Sequence, residues 1–231
     1  MLRKILRRLK RAQAMVTLPS LRAYEYWANA YPPFAHNALM QAEEAAMLTL
    51  MPELSGRVVL DLACGTGRYS RIGLERGAGV VIGVDNSRHM LQQYGYPLRA
   101  VASSEAIPLA TGSVDVVVCG LALGHLAALG PSLAEMARVL RVGGTALVSD
   151  FHPFIFLNGQ RRTFTSADGK TYAVEHYAHL YADYQRAARA AGLTIEAVLE
   201  PRLGVDETVR FENTGTASGT PVIIAYRFGK S

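Results

Sequence analysis

The chain has 231 residues, of which half are apolar, a size and composition that fit one packed domain and exclude a largely disordered protein. Its formal net charge is +5, but six of the 24 basic residues lie in residues 1–11, so 18 basic residues face 19 acidic ones elsewhere. Phosphate contacts need a basic face, so we expect no DNA partner for the domain itself.

Residues 1–19 are interpreted as a basic tail whose apolar residues recur at helical spacing: Leu2, Ile5, Leu6 and Leu9. We expect either a helix docked on the domain by its leucine face, or an amphipathic helix in which residues 1–11 make weak contact with an anionic membrane surface or RNA. No apolar stretch of roughly 7–15 residues follows, as a signal peptide would require.

The chain contains two cysteines, Cys64 and Cys119, which form no disulfide framework and match no metal-ligand spacing. We therefore expect reduced, packed thiols and a cytoplasmic protein, with the basic tail as the basis for a peripheral membrane location. No run approaches the roughly 20 apolar residues that a membrane span needs.

A single domain is predicted over residues 20–231, beginning with a helical lid over 20–52 that carries many aromatic residues. From residue 56 to residue 150, apolar strand-like runs alternate with helix-like segments, which is typical of a parallel sheet covered on both faces. The expected strands are 58–62, 80–84, 98–102, 114–119 and 144–150. The expected helices are 66–76, 87–94 and 131–140.

Residues 151–182 interrupt this alternation with many aromatic residues and histidines, so we predict an inserted ribbon there. A helix near 182–191 and the runs LTIEAVLE and PVIIAYRF then complete the sheet within residues 183–231. We expect these last two strands to pair as an antiparallel edge.

The segment VVLDLACGTGRYS, residues 58–70, predicts a nucleotide-binding turn. Gly65 and Gly67 would let the backbone approach a ligand at a helix N-terminus. Ser70 stands where the dinucleotide fingerprint has a third glycine. Asp61 would repel a pyrophosphate but attract an ammonium or sulfonium group, whereas Asp85 could accept hydrogen bonds from the ribose hydroxyls of either cofactor.

Four segments stand in the order and spacing of a known family: LDLACGTGRYS, VIGVDNSRHML, ASSEAIPLATGSVDVVVCGLALGHL and LAEMARVLRVGGTALVSD. The chain resembles class I S-adenosylmethionine-dependent methyltransferases of the ubiquinone/menaquinone-biosynthesis type. The resemblance implies an α/β, Rossmann-like, seven-stranded and mostly parallel sheet with helices on both faces and the last strand antiparallel. It also implies methyl transfer from S-adenosyl-L-methionine to a small-molecule acceptor, with S-adenosyl-L-homocysteine as the product.

Within this resemblance, the methionine part of the cofactor is assigned to Asp61 and the glycine turn, the ribose to Asp85, and the adenine to His89 and Met90. Ser103 replaces the acid with which relatives often contact the adenine amino group. The full set of implied cofactor-binding residues is Tyr24, Asp61, Ala63, Gly65, Gly67, Asp85, Asn86, His89, Met90, Ser103, Ser104, Glu105 and Leu121.

His125 and His152 follow the fourth and fifth core strands, where open α/β sheets bind ligands, so both are candidate general bases. Residues 151–182 lie on the acceptor side by the same resemblance, and their aromatic residues and arginine pair suggest an apolar acceptor with one acidic group. The candidate acceptor-binding residues are Tyr31, His36, Phe151, Arg161, Arg162 and His176. No metal site is expected, because His176 and His179 would point to opposite faces of a strand.

Three other functions stay open. An RNA methyltransferase is favoured only by the basic tail, and a dinucleotide oxidoreductase is disfavoured by Asp61 and Ser70. A cofactor-binding protein of this fold could use the pocket for other chemistry. The acceptor molecule, the acceptor atom (oxygen, nitrogen or carbon) and the oligomeric state are not predicted.

Overall fold

The structure is a computed structural model that describes residues 15–166, 169–202 and 219–231. The helices are α1 (Ser20–Trp27), α2 (Ala38–Leu50), α3 (Arg68–Glu75), α4 (Arg88–Gln93), α5 (Gly130–Val139), α6 (Pro153–Leu157) and α7 (Tyr181–Ala190), with 3-10 turns at Ala28–Ala30 and Leu123–His125. The strands are β1 (Thr17–Leu18), β2 (Val58–Leu62), β3 (Val80–Asp85), β4 (Arg99–Val101), β5 (Val114–Gly120), β6 (Leu140–Phe151), β7 (Thr163–Thr165), β8 (Thr171–Val174), β9 (Leu193–Leu199) and β10 (Ile223–Lys230).

Seven strands form the central sheet in the order β4-β3-β2-β5-β6-β10-β9. The first five of these strands are mutually parallel, and β10 runs antiparallel to both of its neighbours, β6 and β9. The chain order therefore reverses direction between β2 and β5. A ligand crevice forms at such a switch point, outside the carboxyl ends of the strands.

Both faces of the sheet are covered because its central strands are apolar at most positions, Asp61 in β2 being an exception. In β2, Leu60 and Leu62 pack with α5 and α7 on one face, while Val59 packs with α2 and α3 on the other. In β5, likewise, Val117 packs on the first of these faces and Val116 on the second. Side chains that alternate between two buried faces explain why these strands are continuous apolar runs.

A second, three-stranded sheet has the order β1-β8-β7 and attaches α1 to the segment between α6 and α7. Tyr26 of α1 stacks on Tyr172 of β8, with ring centroids 6.3 Å apart. Trp27 stacks on Phe164 of β7 at 5.2 Å. These ring contacts hold the first helix and the inserted segment together above the crevice.

The predicted seven-stranded, mostly parallel α/β fold is confirmed. The expected β9–β10 pair is also observed at that edge of the sheet, with β9 outermost. The predicted ribbon contains the β7–β8 hairpin, but also the short helix α6 and a pairing with β1, which the sequence did not indicate. The proposed division into lid, core and insertion stays a prediction, and residues 1–14 of the tail lie outside the described residues. No described helix has the length and apolar character required to cross a bilayer.

Candidate active site

A cleft opens beyond the carboxyl ends of β2, β3 and β5 and encloses about 980 Å³, part of it open to solvent. One wall is formed by the turn after β2 and the end of β3. The other wall is formed by α1, the segment after β5 and the segment before β7. The predicted residues that line it are Tyr24, Tyr31, Asp61, Ala63, Gly65, Asp85, Asn86, Met90, Ser104, Leu121, His125 and Arg162.

The turn after β2 is held in a left-handed backbone conformation. Gly65 and Gly67 have φ values of 54° and 95°, and a Cβ on Gly67 would lie 2.9 Å from the ring of Tyr94. Ala63 has a φ of 55°, which is uncommon for a residue with a side chain. Leu121, after β5, shows the same feature with a φ of 57°. Strained residues of this kind concentrate at functional sites, and both of these line the cleft.

Asp61 is the next-to-last residue of β2, and one of its carboxylate oxygens is bound while the other is free. Its Oδ2 accepts hydrogen bonds from the backbone N–H and the hydroxyl of Ser70, each at 2.7 Å. Its Oδ1 has no donor among the residues that the structure describes. Burial raises the pKa of Asp61 to about 7, because desolvation penalises the ionised form more than the bonds from Ser70 favour it. A ligand cation beside Oδ1 would offset that penalty.

Asp85 ends β3 and organises the adjacent backbone. Its Oδ2 accepts from the N–H of Gly65 at 2.8 Å, and its Oδ1 accepts from the N–H of Ser87 at 2.7 Å. Burial raises the pKa of this carboxyl group, against the effect of both backbone bonds. Each oxygen keeps a second lone pair, so Asp85 can hold the turn and accept from ligand hydroxyls together.

On the opposite wall, His125 is held in one tautomer. Its Nδ1 lies 2.7 Å from the carbonyl oxygen of Glu175, which can only accept, so Nδ1 carries the proton. Its Nε2 therefore accepts hydrogen bonds, from the hydroxyl of Tyr24 at 3.1 Å and from Nη1 of Arg162 at 3.2 Å. Burial and the charge of Arg162 lower the pKa of His125 to about 3. The imidazole is consequently neutral at physiological pH and has little tendency to take a proton.

A buried ion pair that was not predicted from the sequence lies beneath the cleft. Nη2 of Arg68, at the start of α3, lies 2.6 Å from Oε2 of Glu43 in α2, and both side chains are buried. The other oxygen of Glu43 accepts from the hydroxyls of Tyr69 and Ser149. Glu43 lies on the same helix face as the buried Leu39 and Met47, and an acid on an apolar stripe is the signal that could have identified it.

Other predicted site residues lie away from the cleft lining. His152 is buried and caps α6, and its Nε2 lies 3.2 Å from Oε1 of Glu200. Phe151 and His176 pack behind the His125 wall, with ring centroids 5.6 Å apart. Gly67 supports the turn without lining the cleft. The residues of this group that are exposed are His36, His89, Ser103, Glu105 and Arg161.

His176 is one of the two histidines considered as metal ligands from the sequence. Its Nε2 lies 3.8 Å from Oδ1 of Asp150, and burial lowers its pKa to about 3. Among residues 15–166, 169–202 and 219–231, no three His, Cys, Asp or Glu side chains are grouped so that they could hold a metal ion. The sequence-based expectation of no metal site stays a prediction for the chain as a whole.

The sheet order and the cleft at its switch point match the Rossmann-like fold of methyltransferases. Residues 60–148 match the family described as a methyltransferase domain. The predicted resemblance to class I S-adenosylmethionine-dependent methyltransferases is confirmed over this matched segment.

Several known proteins are similar to this chain. A malonyl-[acyl-carrier protein] O-methyltransferase from Pectobacterium atrosepticum is 35% identical over 121 residues, which are 51% of this chain and 47% of that protein. A 2-phytyl-1,4-naphtoquinone methyltransferase from Nostoc punctiforme is 36% identical over 110 residues, or 42% and 48% of the two chains. The chain thus spans about half the length of the curated relatives it matches.

A solved structure extends the likeness in fold beyond the matched segment. The S-adenosylmethionine dependent methyltransferase from Mesorhizobium loti aligns with a TM-score of 0.65 at 20% identity, over 81% of this chain and 97% of that one. At this identity the likeness concerns the fold alone. It covers most of both chains, so the two proteins share one architecture.

Proposed function

We propose that this protein is an S-adenosylmethionine-dependent methyltransferase that acts on a small, predominantly apolar acceptor. The observation that carries the proposal is the pairing of two buried carboxylates on one wall of the cleft. Asp61 has one oxygen without a donor among the described residues, and Asp85 keeps lone pairs beside the left-handed turn. A cationic nucleoside with free ribose hydroxyls satisfies both acids, whereas a pyrophosphate would be repelled by them.

Each part of the cofactor has a fitting group in the cleft. Asp61 would bind the ammonium group, Asp85 the ribose hydroxyls, and Met90 and Ser104 would lie beside the adenine. The sulfonium supplies an activated methyl group, so the chain needs only to align the acceptor with it and exclude water. Alignment of this kind can contribute about 7–11 kcal/mol to lowering the barrier.

The acceptor side of the cleft supports an apolar substrate. Tyr24, Tyr31, Leu121 and Leu126 line it, and Tyr24 and Tyr31 meet edge to face with centroids 6.1 Å apart. The names of two relatives, which specify a malonyl thioester protein and a naphthoquinone as substrates, agree with a metabolic acceptor. Both features favour a small molecule over RNA.

The test is calorimetry of the full chain with S-adenosylmethionine, S-adenosylhomocysteine, NADH and NADPH side by side. We expect micromolar binding of the two sulfur nucleosides and none of the dinucleotides. Binding of NADH or NADPH alone would reassign the turn to hydride chemistry. Binding of S-adenosylhomocysteine without methyl transfer to quinols, carboxylic acids, amines or phenols would favour a cofactor-binding protein that uses the pocket for other chemistry.

A further inference from the structure

We call the wall formed by α1, the segment after β5 and the segment before β7 the acceptor wall. Arg162 is a cation in this wall and has no anionic partner among the described residues. It lies just before β7, is half-buried and lines the cleft. Its Nη1 donates to the carbonyl oxygen of Leu121 at 3.1 Å and to Nε2 of His125 at 3.2 Å. No carboxylate of the described residues lies within ion-pair distance of it. The other cation that lines the cleft, Arg68, is paired with Glu43.

The surroundings of Arg162 hold the guanidinium in place without neutralising it. Its guanidinium carbon lies 5.5 Å from the ring centroid of Tyr24 and 5.1 Å from that of Phe151. Asp150, a buried acid that interacts electrostatically with Arg162, already accepts from the backbone N–H of Phe151 at 2.8 Å and from the hydroxyl of Tyr184 at 3.0 Å. A buried charge is normally paired, so an oriented, unpaired guanidinium in a cleft indicates a site for an anion of the ligand.

A second observation concerns proton transfer. The proton on Nδ1 and the two donors bound at Nε2 leave His125 a neutral imidazole whose lone pair is already occupied. An alcohol, phenol or amine acceptor must lose a proton on methylation, and His125 is poorly placed to take it. A carboxylate has no proton to lose. The acceptor wall is therefore suited to an oxygen that is anionic before it reacts.

We infer that the acceptor is an apolar carboxylic acid whose carboxylate is bound by Arg162, and that the product is its methyl ester; this inference rests on the proposed function. One carboxylate oxygen forms the bond to the methyl carbon as the carbon–sulfur bond breaks, and that bond's electron pair stays on sulfur. A sulfonium and a carboxylate become a neutral thioether and a neutral ester, and no proton moves. Arg162 orients the acid, and His125 and Tyr24 are positioning residues for it.

The first experiment uses S-adenosylmethionine with a tritiated methyl group and three acids: octanoate, cinnamate and a malonyl thioester of N-acetylcysteamine. Octan-1-ol, cinnamamide and 4-ethylphenol serve as neutral acceptors of similar shape. We expect label on at least one acid and on none of the neutral compounds, released by alkali as volatile methanol because a methyl ester hydrolyses. Alkali-stable label on a neutral compound would overturn the inference.

Binding gives a second readout that does not depend on turnover. In the presence of saturating S-adenosylhomocysteine, the acids should bind more tightly than cinnamamide and octan-1-ol. Equal affinity of acids and neutral analogues would overturn the inference while leaving the proposed function intact. Failure of S-adenosylhomocysteine itself to bind would instead contradict the proposed function.

The variants Arg162→Met and Arg162→Lys assign the effect to one side chain, and Arg186→Met, an exposed arginine on α7, is the matched control. Arg162→Met should lower kcat/KM for the acid by about 30-fold or more, as loss of a buried charge partner does. Arg162→Lys should recover part of this, because it keeps the charge but not the planar fork. S-adenosylhomocysteine affinity should be unchanged in both. Equal loss of cofactor and acid binding would show that Arg162 binds the cofactor's own carboxylate and would overturn the inference.

Discussion

The two walls of the cleft are built in different ways. Asp61, the left-handed turn, Asp85 and Met90 form the cofactor wall and lie within 30 consecutive residues, on two adjacent strands and the segments that follow them. The acceptor wall joins Tyr24, His125 and Arg162, which are far apart in the chain and meet only through tertiary packing. A ligand wall made by one contiguous segment can be recognised from spacing, whereas a wall assembled from distant segments cannot.

The walls also differ in charge. On the cofactor wall, burial raises the pKa of Asp61 and Asp85, so the wall is short of a cation. On the acceptor wall, burial and Arg162 lower the pKa of His125, so the wall already carries the cation it needs and lacks an anion. The contrast places a positive ligand group on one side and a negative one on the other, and each prediction below tests one side of it.

The largest effect is expected from Asp85→Ala. The substitution removes the observed acceptor of the Gly65 and Ser87 N–H groups, which is also the proposed acceptor of the ribose hydroxyls. Loss of such bonds to a charged group costs about 2–4 kcal/mol, which weakens S-adenosylhomocysteine binding about 30- to 1,000-fold. Calorimetry measures the affinity. Glu75→Ala, which removes an exposed acid from α3, is the control and should bind normally.

Thermal unfolding separates this effect from misfolding. Asp85→Ala should still unfold cooperatively, although at a lower temperature, because two backbone N–H groups lose their acceptor. If the Asp85→Ala variant folds cooperatively and its affinity is unchanged, Asp85 does not bind the cofactor. The charge contrast between the two walls would then be contradicted.

The next largest effect is a pH dependence of cofactor affinity. Asp61 has a pKa of about 7 in the empty site, and only its ionised form attracts a cation. The Kd should therefore rise by about two-fold at pH 7 and about ten-fold at pH 6, relative to the alkaline limit, as the competent fraction falls. Isothermal titration at a series of pH values measures it.

The matched variant Asp61→Asn keeps the shape of the side chain but cannot ionise. Its affinity should equal the weak acidic limit of the natural chain and stay flat over the same pH range. The stability of the empty protein depends on pH in the opposite direction to the cofactor affinity. Because the folded pKa is raised above the unfolded value of 3.8, protonated Asp61 stabilises the empty protein at low pH, and this contribution is lost as the pH rises through about 7. A natural chain whose affinity does not change between pH 6 and 8 would contradict the assignment of Asp61.

The sequence predicted where the residues of the cofactor wall lie, because the demands on them are local, while their binding of a cofactor stays a prediction. Polar residues are rare inside buried strands, so Asp61 and Asp85 could be placed close to the carboxyl ends of two strands and hence at one edge of the sheet. Ser70, which departs from the dinucleotide pattern, proves to be the partner of Asp61, with its N–H and hydroxyl both 2.7 Å from Oδ2. Local spacing predicted the place of this residue but not its bond.

The acceptor wall was predicted only as a set of candidates. His125 and His152 both follow core strands and look equivalent in the sequence, yet one lines the cleft and the other caps α6. Arg161 and Arg162 are adjacent, yet Arg162 enters the cleft while Arg161 is exposed and lies 3.3 Å from Thr17. The placement of this segment depends on the two-residue strand β1, which pairs with β8 and so holds the β7–β8 hairpin beside α1. A strand of two residues has no recognisable sequence pattern, so this placement could not be predicted.

The substitution Tyr24→Phe should have a smaller effect, and it tests to which wall Tyr24 belongs. The sequence placed it among the cofactor-binding residues, whereas its hydroxyl lies 3.1 Å from Nε2 of His125. If it serves the acceptor wall, Tyr24→Phe should lower kcat/KM for the acceptor about two- to ten-fold, the value of one hydrogen bond, and leave S-adenosylhomocysteine affinity unchanged. Steady-state kinetics and calorimetry measure the two quantities. Tyr26→Phe, an exposed tyrosine on the same helix, is the control; a loss confined to cofactor affinity would move Tyr24 to the other wall.

The smallest effect is an expected absence of pH dependence. His125 has a pKa of about 3, so its protonation does not change over the neutral range. At saturating cofactor, where Asp61 no longer limits binding, kcat with a carboxylic acid acceptor should stay flat from about pH 6 to 9 and lack the acidic limb of a general base. His125→Gln keeps an acceptor and a donor on one side chain and should lower kcat without introducing a pH dependence. An acidic limb near neutral pH that disappears in His125→Gln would make His125 a base. The acceptor would then have to be a group that loses a proton, and the charge contrast between the walls would no longer describe the reaction.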